Sequence, residues 1–160
     1  MRKHALAVIP LLLAAPCAVA APMNTSGNSA LALAALVGIP SPALSLKNRK
    51  ALANMLDGRL NFPYPPSQKI DVKADKVTCR ASNVDISAHS CELTFGSQTR
   101  MLNGRAAHEL YATLIESGVP SDGAAGSLFE SLTALSCTID PSAVKQKAGG
   151  GASCTFTPGP

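Results

Sequence analysis

Apolar and polar positions alternate along four short stretches of the chain. Val77, Cys79 and Ala81 take every second place, and so do Cys91, Leu93 and Phe95. Leu135, Cys137 and Ile139 form a third set, and Cys154 with Phe156 a fourth. A period of two is that of a strand with one buried face, so each stretch puts its cysteine on the apolar side. Turn-forming residues lie between them: Ser82-Asn83-Val84-Asp85 in the first interval, Asp140-Pro141-Ser142 and Gly149-Gly150-Gly151 in the second. Two antiparallel hairpins are predicted. Lys69 to Lys73 also alternates, as a strand of its own or joined to the one through Cys79. Gly96-Ser97 divides Cys91–Phe95 from Gln98–Leu102 as a two-residue hairpin turn would.

The other period is helical. Ser29 to Val37 predicts a short Ala/Leu helix ended by Gly38 and Pro40. In Leu46 to Asp57, Leu52, Met55 and Leu56 share a face, and Gly58 follows as a stop. The strongest helix runs from Gly104 to Ser117, with Ala107, Leu110, Tyr111 and Leu114 on one side and Asn103 as its cap. A further helix is predicted from Ser121 or Asp122 to Ser131, completing an αα-hairpin. Residues 21–28 are small and polar and are expected to be a mobile leader. The fold class is therefore α+β, with antiparallel β-hairpins packed against helices on one face of the sheet.

The N-terminus changes how the rest is read. Arg2, Lys3 and His4 precede an apolar run from Ala5 to Ala15, and Ala18-Val19-Ala20 fits a small-x-small cleavage site. This is the pattern of a secretory signal peptide, with cleavage after Ala20 or, next, Ala21. The run is too short to span a membrane, which takes about 20 apolar residues. Acylation at Cys17, as in a bacterial lipoprotein, is the alternative, but Pro16 stands where such signals carry a small residue. The expected organisation is 1–20 as signal peptide, 21–45 as leader with a short helix, and 46–160 as one domain. The location is the periplasm or the medium, with no membrane span after cleavage. Loss of Arg2 and Lys3 takes the net charge from +4 to +2, too little for a nucleic-acid footprint.

Cleavage also leaves four of the five cysteines. In an exported chain an even number reads as disulfides. Pairing within each hairpin gives Cys79–Cys91 and Cys137–Cys154, each expected to stabilise the fold by about 3 kcal/mol. Zinc sites use tighter spacing, and no C-x-x-C is present, so neither a metal nor a cofactor is expected.

A shift of 58 residues lays Cys79 on Cys137, Leu52 on Leu110, Leu56 on Leu114 and Val77 on Leu135. Two tandem helix-plus-hairpin units, 46–102 and 103–160, would account for this; chance matching of common residues is the alternative. Such tandem units with a bridge in each resemble the β-lactamase inhibitor proteins in architecture, with no motif that carries over residue by residue.

Candidate chemistry is sparse. His108 and Glu109 are adjacent on a helix and diverge by about 100°, so they form no dyad. His89 precedes Cys91 near a strand end. Glu109 and Glu116 read as solvated face, and with no Trp in the chain there is no sugar-stacking platform. No nucleophile elbow, phosphate loop or H-E-x-x-H occurs. No catalytic residue is assigned. Residues 47–80 carry eight basic and three acidic side chains, while 81–160 carry four and seven. The basic half is expected to be a solvated face, or to meet an acidic partner or an anionic envelope surface. Phe62, Tyr64, Pro65 and Pro66 belong to a stiff aromatic-proline strip, a partner-binding candidate or a rigid connector. The chain is thus expected to be a small exported non-catalytic binding or inhibitor-like protein of the cell envelope. The alternative is a small exported hydrolase whose site carries no motif.

Overall fold

A computed structural model of the chain describes residues 20–59, 68–82, 85–119, 132–146 and 150–159. The alternating stretches are strands of one antiparallel sheet. Ile70–Arg80 (β2) pairs with Ser90–Phe95 (β3), and Leu132–Ile139 (β5) pairs with Ala152–Pro158 (β6). Cys79 lies directly opposite Cys91, and Cys137 opposite Cys154; both pairs are disulfides. All four cysteines are buried, on the sheet face that alternation assigned to the core. The stretch from Lys69 is joined to the Cys79 strand as the single β2, and the turn at Gly96-Ser97 leads into Gln98–Asn103 (β4), paired with β3. The connection after β5 is not simply a turn, because it holds a short helix, Pro141–Gln146 (α4).

The expected leader is corrected. Met23–Ser26 is a strand (β1) on the edge of the sheet, with Met23 opposite Phe156 and Thr25 opposite Cys154. The short Ala/Leu helix is longer than predicted, Gly27–Gly38 (α1), and lies at the centre of the core. Ala30, Leu31, Leu33, Ala34, Ala35, Leu36 and Val37 are all buried. A helix apolar on nearly every side is one surrounded by protein. Its small residues let it approach the sheet closely. A Cβ on Gly38 would stand 2.6 Å from Leu52 Cδ1 and 2.9 Å from Val72 Cγ2, so a larger residue at the helix end would have to displace both side chains. Residues 20–45 therefore belong to the folded unit.

Leu46–Leu56 (α2) starts where the Ser45 hydroxyl accepts from the Asn48 N–H, and buries Ala51, Leu52 and Met55 against α1. Gly104–Glu116 (α3) buries Ala107, Leu110, Thr113 and Leu114. Asn103 stands at its N-cap position in extended geometry, but its side chain makes no capping bond, contrary to the sequence expectation. The second helix of the predicted αα-hairpin falls on 121–131, outside the described residues, as does the strip holding Phe62, Tyr64, Pro65 and Pro66. The signal-peptide segment, apart from Ala20, lies outside them too.

Strand order in the sheet is β1-β6-β5-β2-β3-β4. It reads the same from either end when β1 is matched with β4, β2 with β5 and β3 with β6. The register obeys the same match: Thr25 faces Cys154, and Leu102 faces Cys91. Helices follow it as well. Gly27 and Gly104 both take positive φ, 72° and 58°, at the strand-to-helix junction. Ala30 and Ala107, Leu33 and Leu110, and Val37 and Leu114 are then counterparts, all fully buried. Cys154 Sγ lies 3.4 Å from Ala30 O, and Cys91 Sγ lies 3.4 Å from Ala107 O. Even the connections correspond, Asp85-Ile86-Ser87-Ala88 with Asp140-Pro141-Ser142-Ala143.

This internal two-fold differs from the units 46–102 and 103–160. The shift of 58 matches β2 to β5 correctly, but the counterpart of α3 is α1, and Leu110 answers to Leu33 rather than Leu52. The chain between helix and strand differs in length in the two halves, and α2 occupies the extra length. One constant shift cannot register both the helix and the strand.

At the middle of the sheet both central strands break their alternation. Asp75 and Lys76 are both exposed between buried Ala74 and Val77, and Ala134 takes φ 52° between buried Leu132 and Leu135. An extra residue in each strand preserves the inward side on both sides of the break. The helices cover one face of the sheet, and the opposite face is exposed.

The two matching connections share a carboxylate device. Asp85 accepts from the Ser87 hydroxyl at 2.6 Å and the Ser87 N–H at 2.8 Å. Asp140 accepts from the Ser142 hydroxyl and from the N–H groups of Ser142 and Ala143. The serine hydroxyl bond, ahead of the backbone bonds, holds each carboxyl below its ordinary value. A folded-state pKa below the unfolded one gives stability that is complete above about pH 4 and lost as pH falls through the folded value. Asp85→Asn with Asp140→Asn is therefore expected to flatten the acid limb of a urea-midpoint profile below about pH 4. An unchanged acid limb would mean that these bonds also persist in the unfolded chain.

Candidate functional site

The two histidines singled out by sequence come together in space. His89 enters β3 after the 3₁₀ turn Ile86–Ala88, and its carbonyl accepts from the Gly104 N–H at 2.9 Å. That bond ties the start of β3 to the start of α3, one turn before His108. The imidazole centroids are 4.8 Å apart, at 67° to each other, and Tyr111 stands edge-on to His89 at 6.1 Å. His89 is 4% exposed, and His108 is half-buried.

His89 Nε2 donates to the Ser82 carbonyl at 2.7 Å. A carbonyl oxygen only accepts, so Nε2 carries a proton, and Nδ1 is the nitrogen left over to accept or coordinate. His89 Nδ1 and His108 Nδ1 are both buried and without a hydrogen-bond partner. Leaving a buried polar atom unsatisfied costs about 1–3 kcal/mol, so one such atom on each of two neighbouring rings is an expensive arrangement. Glu109 turns away, as expected, and pairs with Arg105 at 2.9 Å on the surface. Asp85 is committed to Ser87. Among the described residues there is no group of three or more His, Cys, Asp or Glu able to hold a metal ion.

A second feature is the exposed sheet face. On its β1-β6-β5 half the cross-strand rows are Asn24–Thr155–Ser136 and Ser26–Ser153–Thr138, uncharged hydroxyl and amide side chains throughout. Thr155 donates to Asn24 Oδ1 at 2.7 Å, and Thr138 donates to Asp71 Oδ1 at 2.8 Å. On the other half Lys73, Lys76 and Arg80 project from β2 among Asp71, Asp75 and Glu92. Three of the eight basic residues of 47–80 are thus interleaved with acids on this face, while Lys47, Arg49 and Lys50 belong to α2. A groove of about 410 Å³, lined by Pro42, Ala43, Lys73, Asp75, Phe95, Gly96 and Gln98, opens where β2 breaks its alternation.

Of the site residues expected from sequence, Cys79, Cys91, Cys137 and Cys154 are structural staples. The pairing of His89 with His108 was not anticipated, because only the order of β3, β4 and α3 brings them together. No helix among the described residues is long and apolar enough to cross a membrane.

These features define a small α+β protein built on one antiparallel sheet with two disulfides. Compared with known proteins, the chain matches no family model, no curated protein and no solved structure.

Proposed function

We propose that the chain is an exported, non-catalytic binding or inhibitor-like protein of the cell envelope, acting through the open face of its sheet. The observation that carries this reading is the face itself: six strands wide, exposed, and held by two disulfides in the strands beneath it. A surface fixed before binding loses little conformational entropy when a partner docks. Its mixture of hydroxyl rows and interleaved charges suits a polar macromolecular surface better than a lipid. The basic start, apolar run and small-x-small site at the N-terminus support export, and disulfides form in oxidising compartments.

The test is capture from an envelope extract with the protein immobilised, followed by rebinding of the purified partner. Lys73→Glu with Ser136→Arg alters two cross-strand neighbours at the centre of the face. The expected result is a partner that rebinds the parent and loses most of its affinity for the variant. A partner that binds both equally places recognition elsewhere. Turnover of an ester, peptide or glycan substrate, lost in His108→Ala, would favour the hydrolase reading instead.

A further inference from the structure

We infer that His89 and His108 form a binding site for a divalent transition-metal ion, with their two Nδ1 atoms as the protein ligands. The internal two-fold provides the control. Under the match of α3 with α1 and β3 with β6, the counterparts of His108, Tyr111 and His89 are Leu31, Ala34 and Ala152. All three are apolar and buried, at 8%, 0% and 4% exposure. The fold therefore asks only for apolar packing here. One half supplies it, while the other carries two imidazoles and a phenol ring.

The geometry selects the ligand. His89 donates its outer nitrogen to a backbone carbonyl, which is how ligating histidines are oriented, and this leaves its inner lone pair unused. His108 presents a second buried Nδ1 with no partner. Two imidazoles bound to one tetrahedral ion at about 2.0–2.1 Å have ring centroids about 5 Å apart. The pair here stands at 4.8 Å. Imidazole nitrogen suits zinc, copper and nickel rather than calcium or magnesium. Both Nδ1 atoms are shielded from solvent, so the ion enters when the half-buried His108 ring turns outward, and water admitted with it completes its coordination.

The test is titration of the full chain with Cu²⁺ alone and Zn²⁺ alone. His4 and Cys17 are replaced by Ala in every sample, so that only two of the three histidines and no unpaired cysteine remain. One ion per chain is expected, with Cu²⁺ bound more tightly than Zn²⁺. Bound Cu²⁺ is expected to show nitrogen hyperfine coupling in its resonance spectrum. His108→Leu installs the residue the other half uses, so the fold should persist while affinity falls by more than about tenfold. Should that variant unfold, His108→Gln keeps a polar side chain of similar reach and is expected to lose affinity likewise. Failure of the parent to bind either ion, or one-to-one binding that survives loss of His108, overturns the assignment.

Discussion

A chain lacking residues 20–38 is expected not to fold. The deletion removes β1, whose four residues pair with β6, and α1, whose Leu31, Leu33, Leu36 and Val37 are buried beneath the sheet. Burying each of these side chains contributes about 1.5–3 kcal/mol. Four of them together supply about 6–12 kcal/mol, comparable with the whole stability of a small domain, about 5–15 kcal/mol. β6 and α3, both packed against α1, would lose cover as well. Far-ultraviolet dichroism and urea titration decide the matter. Absence of a cooperative transition is expected. A truncated chain that unfolds at the parent's midpoint would mean that α1 is not part of the core.

Loss of either disulfide is expected to cost about 2–4 kcal/mol, the second-largest effect. The bridges close loops with sequence separations of 12 and 17. Loop entropy grows only with the logarithm of length, so the longer loop adds about 0.3 kcal/mol and the two bridges should count almost equally. Each joins neighbouring strands within one half, so removing one leaves the other half stapled. Cys79→Ala with Cys91→Ala, and Cys137→Ala with Cys154→Ala, should lower the urea midpoint by similar amounts. Non-reducing peptide mapping of the parent should return the two pairs and no peptide joining Cys79 or Cys91 to Cys137 or Cys154.

The strands around the cysteines were legible because each buries one face, and a period of two reports that directly. The bridges followed, since opposite positions on one face are the places where cysteines meet. The centre of the core was less legible. Surrounded by protein, α1 has no polar face, so its residues lack the contrast that identifies a packed helix. Met-Asn-Thr-Ser in β1 reads as a leader because an edge strand of four residues needs only backbone pairing and one half-buried side chain or two. The site was legible in its members but not in its assembly. His89 and His108 each stood out alone. Their encounter depends on β4 returning the chain so that Gly104 bonds back to His89, a fact of topology that no local pattern carries. The two-fold was half visible, in the strands, and hidden in the helices by loops of unequal length.

The pairing of β1 with β6 also places the two ends of the sheet's chain path side by side, Met23 against Phe156. A short linker across that gap, with a cut at Gly96-Ser97, would make a circular permutant beginning at β4 and ending at β3. Because β4, β5 and β6 occupy the places of β1, β2 and β3, the permutant would still run strand, helix, strand, strand twice over. Apart from the position of α2, new and old chains trace the same path through the sheet. The break would fall in a surface turn outside both disulfide loops, so neither staple would have to be re-formed in a new order. The order in which the halves are synthesised is thus separable from the structure they make.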